Sequence, residues 1–212
     1  DRQLGQVLDA LDNSAVAENT VVIYTSDHGE NKGDHGLWWK NNMYEHSARI
    51  PLIVRWPERW APGQQRTQAC SLVDVVQTLA DIAGAACPDD WDGDSMLPWL
   101  DDPEHPWKDR AVSEYYAHNI SSGFAMLRTG PWKYVYHTAA DDEHPAECEL
   151  YNLDDDPAEL QNLAADPAQA ERLQALHREL VEELGEDPEA TEQRCRADYA
   201  VGYQREAPPQ PR

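Results

Sequence analysis

The chain has 212 residues, 41% of them hydrophobic, with 17 basic against 40 acidic side chains and a formal charge of −23. That is enough apolar material for one large domain or two small ones, and the charge argues against nucleic acid or an anionic membrane as a partner, since both are negative. The four cysteines (Cys70, Cys87, Cys148 and Cys195) have no CxxC spacing and are too sparse for a disulfide scaffold. No apolar run approaches the roughly 18–20 residues that a membrane span needs.

Residues 1–12 read as an amphipathic helix, with Leu4, Val7, Leu8 and Leu11 at i, i+3, i+4 and i+7. The chain opens at Asp1 inside this pattern, without an initiator Met, which suggests an internal start. Thr20 to Tyr24 is a short β-branched apolar run, the kind buried on both faces in a parallel sheet. A polar, glycine-punctuated loop follows from Ser26 to Trp39, and Pro51 to Trp56 is a second buried-strand candidate. Leu72 to Ile82 reads as a helix with Leu72, Val75, Val76, Leu79 and Ile82 on one face and Gly84 as its stop. Helix, buried strand, loop, buried strand and helix form an α/β signature.

The pattern changes after about residue 100, where Asp101, Asp102, Pro103 and Pro106 cluster as breakers. Four strand candidates follow: Ala111–Ala117, Phe124–Arg128, Trp132–His137 and Glu149–Leu153. Gly130-Pro131 favours a tight hairpin between the second and third, and short links between successive strands predict an antiparallel sheet. Asp166 can cap a helix with Pro167 in its first turn. Leu173, Leu176, Leu180, Val181 and Leu184 then form a stripe that could cover one face of that sheet, down to Gly185. From Glu186 the chain is charged and ends in a proline-rich run, which reads as an arm or disordered tail. The expected division is 1–105, 106–185 and a tail over 186–212.

The chemistry concentrates in residues 26–40. Asp27 and His28 sit just past the end of a predicted strand, where open α/β sheets gather their ligands. With Gly29 allowing a sharp turn, they can present an oxygen and a nitrogen to one divalent cation. The carboxylate favours calcium or magnesium, and the histidine admits manganese. Lys40 follows a loop holding Gly33, Gly36, Trp38 and Trp39, and a lysine returned to such a site is a point charge suited to an anionic ester oxygen. His35 on the same loop could reach a substrate or leaving group. Trp38 and Trp39 read either as core packing or as a stacking surface for a sugar or aryl group.

Taken together, these residues resemble the sulfatase family of the alkaline-phosphatase superfamily. The run from Val22 to Pro57 carries Ser-Asp-His-Gly, Gly-Asp-His-Gly, a Lys, an Arg-x-Pro-hydrophobic strand and Trp-Pro in the family's order. Ser71 to Leu100 is similar to its helix and Asp-Gly-x-Ser-x-x-Pro-x-Leu segment, Met126 to Tyr136 to its Arg-Thr-x-x-x-Lys-Tyr hairpin, and Glu149 to Leu163 to its Glu-Leu-Tyr-Asn-Leu ending. The resemblance implies the C-terminal part of an alkaline-phosphatase-like α/β sandwich with a mainly parallel sheet. To this it adds a small subdomain of four antiparallel strands and a packed helix. It makes Asp27 and His28 metal ligands and Lys40 a catalytic residue that contacts the sulfate, and leaves His35 as a pocket residue. It implies one divalent ion, calcium first, and a small-molecule or sugar sulfate ester as substrate.

The family's nucleophile is a formylglycine made in a Cys/Ser-x-Pro-x-Arg motif, and no residue here opens one. Its first-strand Asp-Asp metal pair is also absent. The N-terminal half of the same protein is therefore expected to complete the site, and this chain alone to be inactive. Two other readings are a phosphonate monoester or phosphodiester hydrolase of the same superfamily, and a sulfatase-like binding protein without catalysis.

Overall fold

The structure is a computed structural model that describes residues 1–88, 90–116 and 120–202. The chain divides into two compact units, Asp1–Asp109 and Arg110 onward.

The first unit opens with helix α1 (Arg2–Asp12), followed by β1 (Val22–Thr25), the short helix α2 (Glu45–Ala48) and β2 (Leu52–Arg55). Helices α3 (Leu72–Ile82) and α4 (Leu97–Asp101) complete it. β1 and β2 pair antiparallel, with Ile23 opposite Val54 and Tyr24 opposite Ile53. Their apolar runs had suggested a parallel arrangement. A continuous β-branched run reports burial rather than strand direction, and an antiparallel neighbour satisfies it equally well. Arg55 bonds the Asp12 carboxylate at 2.6 Å and so ties β2 to the end of α1.

Buried Val75, Met96 and Trp99 form the core of this unit, with Ile23, Leu52, Cys70, Leu100 and Trp107 packed against them. α3 starts with a capping box in which Ser71 and Asp74 satisfy each other's backbone. The fully buried Asp74 also accepts from Asp94 N at 2.9 Å and from Lys108 Nζ at 2.7 Å. Gly93 lies so close to α3 that a Cβ would meet Val73 O at 2.2 Å, which excludes any side chain there. Burial on α3 falls on Asp74, Val75 and Thr78. Of the predicted apolar stripe, Leu72, Val76 and Leu79 remain exposed.

The second unit is a four-stranded antiparallel sheet of β3 (Arg110–Tyr115), β4 (Phe124–Thr129), β5 (Trp132–His137) and β6 (Glu147–Asn152), in sequence order. Gly130 takes φ 49° in the β4–β5 turn. The predicted inclusion of Ala117 in the first strand lies outside the described residues.

Helix α5 (Ala170–Leu184) follows a 3-10 turn that Asp166 caps by accepting from Ala168 N. Its Leu176 and Leu180 pack with Ala125, Leu127, Tyr134 and Leu150 on one face of the sheet. The opposite face carries the buried ion pair Lys133–Glu159 at 2.7 Å.

Residues 188–201 form helix α6 (Pro188–Val201), where the sequence reads a tail. Asp187 caps α6 and Pro188 opens it, while Glu192 accepts from Gly123 N at 2.8 Å and Glu189 from Ala139 N at 2.9 Å. The proline-rich run beyond it lies outside the described residues.

Candidate functional site

β1 ends at Thr25, and the chain turns at once through Asp27, His28 and Gly29. Only glycine fits in this turn: a Cβ on Gly29 would lie 2.0 Å from His46 O. Gly29 N also donates to Ser47 O at 2.8 Å.

Asp27 is exposed, with 83% of its side chain open to solvent. One of its oxygens, Oδ1, accepts from His28 N at 3.0 Å and lies 3.3 Å from Ser26 Oγ. The bond from His28 N holds its carboxyl below the usual carboxylate range, with Ser26 helping. His28 Nδ1 lies 2.8 Å from Gly29 O. A carbonyl can only accept, so Nδ1 carries the proton in that bond and the Nε2 lone pair points away. That Nε2 sits 3.4 Å from Asp27 Oδ2. A carboxylate oxygen and an imidazole nitrogen held side by side are donor types that could hold a divalent cation. Among the described residues, no group of three or more His, Cys, Asp or Glu side chains gathers as a metal site.

Ser47 links this turn to Lys40. Its carbonyl holds Gly29 N, and its hydroxyl donates to Lys40 O. Lys40 itself is exposed. The segment before it is held by Asn31, which is 2% exposed and donates from both its backbone N and its side-chain Nδ2 to Trp39 O. Trp39 adopts φ 68°, a left-handed conformation rare for a bulky residue, and Trp38 and Trp39 are each 70% exposed. Of the two readings of these tryptophans, core packing is not what the structure shows.

His35 stacks on Tyr44 with ring centroids 3.9 Å apart and planes 7° from parallel. Its Nε2 lies 3.5 Å from Asp34 Oδ2, an oxygen that His46 Nδ1 approaches at 2.8 Å. The Asp34–His46 pair and the Asn31 and Ser47 anchors were not singled out in the sequence. Asn31 acts through bonds spanning eight residues, and Ser47 through bonds spanning seven and eighteen, for which no periodic pattern exists.

The stretch from Gly33 onward, through this loop and the sheet with its covering helix, matches the family model described as N-sulphoglucosamine sulphohydrolase, C-terminal, over residues 33–186. The chain belongs to the sulfatase family. Arylsulfatase K of Canis lupus familiaris is 39% identical over 169 residues, covering 75% of this chain and 30% of that protein. Choline-sulfatase of Rhizobium meliloti is 38% identical over 162 residues, with the same coverage of each chain. This sulfatase chain thus spans about 30% of the length of the curated relatives it matches.

Among solved structures, one determined in complex with its substrate D-glucosamine-2-N,6-O-disulfate superposes with a TM-score of 0.78 at 29% identity, covering 89% of this chain and 39% of that one. The phosphonate monoester hydrolase of Agrobacterium radiobacter superposes with a TM-score of 0.73 at 30% identity, covering 87% and 38%. The mixed α/β architecture with its four-stranded antiparallel sheet is the fold of these sulfatase-family neighbours. A hollow lined by Tyr134, Tyr136, Cys148, Leu173 and His177 lies within the second unit and holds none of the sequence-predicted site residues.

Proposed function

We propose that the complete protein is a sulfuric ester hydrolase acting on sulfate monoesters of a small alcohol or sugar, and that this chain carries half of its metal site and one of its charge-stabilising groups. The observation that carries this reading is the Ser47 link. One residue bonds both the turn bearing Asp27 and His28 and the backbone of Lys40, in a chain similar to arylsulfatase K and choline-sulfatase.

Asp27 and His28 are assigned to a single divalent cation, calcium first by the hardness of the carboxylate, with magnesium and manganese as alternatives. Bound there, the cation supplies Lewis-acid charge to the ester oxygens. Asp27 contributes a carboxylate that stays ionised through the neutral range, and His28 contributes a nitrogen whose orientation Gly29 O fixes. Lys40 offers its ammonium to the negative charge that grows on the ester oxygen as the S–O bond breaks. His35, held by its stacking on Tyr44, is assigned as a substrate-pocket residue.

The formylglycine that the resemblance implies fits no residue present. Cys70, Cys87, Cys148 and Cys195 are followed by Ser-Leu, Pro-Asp, Glu-Leu and Arg-Ala, and none opens Cys-x-Pro-x-Arg. We therefore place the nucleophile and the remaining metal ligands in the rest of the polypeptide.

The test is a panel of sulfate monoesters offered to the complete protein. Wild type should turn over at least one of them, and Lys40→Ala should lower kcat by about 100- to 1,000-fold, the size of a lost oxyanion donor. Stripping divalent ions should abolish turnover, and calcium should restore it. A protein that binds these esters without turnover would instead be a non-catalytic relative. A second reading has one specific support, the superposition on the phosphonate monoester hydrolase. Phosphonate monoesters turned over faster than sulfate esters would favour it.

A further inference from the structure

Resting on the sulfatase reading, we infer that Asn31 is a positioning residue for Lys40. Its side chain fixes the peptide unit that leads into the lysine, and with it the point from which the ammonium meets the ester.

The carbonyls on both sides of the Lys40 Cα are held. Trp39 O accepts from Asn31 N at 2.9 Å and also from Asn31 Nδ2. Lys40 O accepts from Ser47 Oγ and, at 2.9 Å, from Asn42 N. Each peptide unit is planar, so fixing the carbonyl on either side of a Cα fixes the direction in which its side chain leaves. Both side-chain anchors lead back to the turn that bears Asp27 and His28. Glu30 alone separates Asn31 from Gly29, and Ser47 O accepts from Gly29 N at 2.8 Å.

The chemistry of Asn31 marks its amide as chosen for this bond. The residue is 2% exposed, yet its Oδ1 has no hydrogen-bond partner among the described residues. A buried acceptor left unpaired costs free energy that an apolar side chain of the same shape would avoid. What the amide supplies is Nδ2, and its bond goes to Trp39 O. That bond sustains a path which a bulky residue resists, since Trp39 stands at φ 68° in the left-handed region. Strained backbone held by a buried polar anchor points to a site whose geometry matters.

A lysine that meets charge growing in the transition state acts on kcat, and a misplacement of about 1 Å can cost about 100-fold. The test is a double-mutant cycle in the complete protein at saturating calcium. The substrate is p-nitrophenyl sulfate, or the best sulfate ester of the panel if that one is not turned over. Asn31→Leu removes the Nδ2 bond and introduces no charge. It should lower kcat about 10- to 100-fold, with KM within about 3-fold and the calcium dissociation constant within about 2-fold. In a Lys40→Ala background the same substitution should change kcat by less than about 2-fold, because the group it positions is gone.

Equal losses in both backgrounds would overturn the inference and make Asn31 a support of the loop as a whole. So would an unchanged kcat, or a fall in calcium affinity as large as the fall in kcat, which would tie Asn31 to the cation instead. Should Asn31→Leu fail to fold, Asn31→Asp, of the same size, carries the same cycle with Lys40→Ala. If wild type hydrolyses no sulfate monoester, the sulfatase reading fails, and the inference with it.

Discussion

At Gly29, the geometry of the candidate site depends on one missing methyl group. A Cβ there would overlap His46 O at 2.0 Å, and the offending atom is backbone, so no rotamer change relieves it. Gly29→Ala should therefore cost about 1–3 kcal/mol, the range of an overpacked contact, read as a lowered denaturation midpoint. It should also weaken divalent-cation binding, because His28 takes its ring orientation from Gly29 O. Asp27→Asn separates the two effects. Asp27 is exposed and, among the described residues, its carboxylate bonds only the neighbouring Ser26 and His28, so its loss should leave stability within about 0.5 kcal/mol while cation affinity falls. A midpoint that drops as far as that of Gly29→Ala would show Asp27 to be structural. At this scale the sequence made the polar residues legible and hid what holds them. Asp27, His28 and Lys40 stand out because their residue types match a chemistry. Asn31, Ser47 and the Asp34–His46 pair act through contacts that close a loop, and nothing local in the sequence marks them.

The strands and helices of the second unit show which signals carry. β5 occupies Trp132–His137, the span its aromatic and β-branched residues indicate, and α5 ends at Gly185 with φ 71° as the glycine stop implies. α6 was missed for a physical reason. It docks through Glu189, Glu192 and Arg196 onto Tyr136, Gly123 and the Ala139 and Ala140 carbonyls, so it has no apolar stripe to read. Only Asp187-Pro188 marked its start, the same cap-and-proline signal that was legible at Asp166-Pro167. The face of the sheet away from α5 holds charges whose removal should be informative. Lys133→Met takes the cation from buried Glu159 and should cost about 3–5 kcal/mol, and adding Glu159→Leu should recover much of it.

On the same face Glu149 accepts from His137 at 2.7 Å and from Tyr151 OH at 2.7 Å. Burial pushes its carboxyl up, but these two bonds outweigh it and hold the group below its ordinary value of 4.5. The unfolded chain therefore takes up this proton before the folded one does. The stabilisation is complete above 4.5 and drains away as pH falls through the folded value. Between about pH 5 and pH 3, Tm should fall less steeply for Glu149→Gln than for wild type. An unchanged slope would mean that these bonds do not perturb the carboxyl.

Over the whole molecule, two groups of exposed apolar side chains in the first unit lie on defined faces. Leu72, Val76 and Leu79 recur at helical spacing along α3, and Tyr24 faces Ile53 across the β1–β2 pair, all open to solvent. The sequence had read the α3 residues as core, and their residue type still says so: a stripe of that size is stabilising only when covered. This chain spans about 30% of its curated relatives. We assign the cover to the remainder of the polypeptide, which the proposed nucleophile and missing metal ligands also require. Two outcomes follow for residues 1–212 produced alone. The chain should show no sulfate ester hydrolysis at any cation concentration, and it should bind a hydrophobic dye or self-associate despite a net charge of −23. Replacing Val76 and Leu79 by lysine should abolish dye binding and leave the Tm of this chain nearly unchanged, since neither residue is buried in it. The same pair placed in the complete protein should lower Tm, because there two charges would be forced into a packed interface. Equal Tm effects in both contexts would show that the α3 face stays exposed in the complete protein, and its apolar stripe would then need another partner.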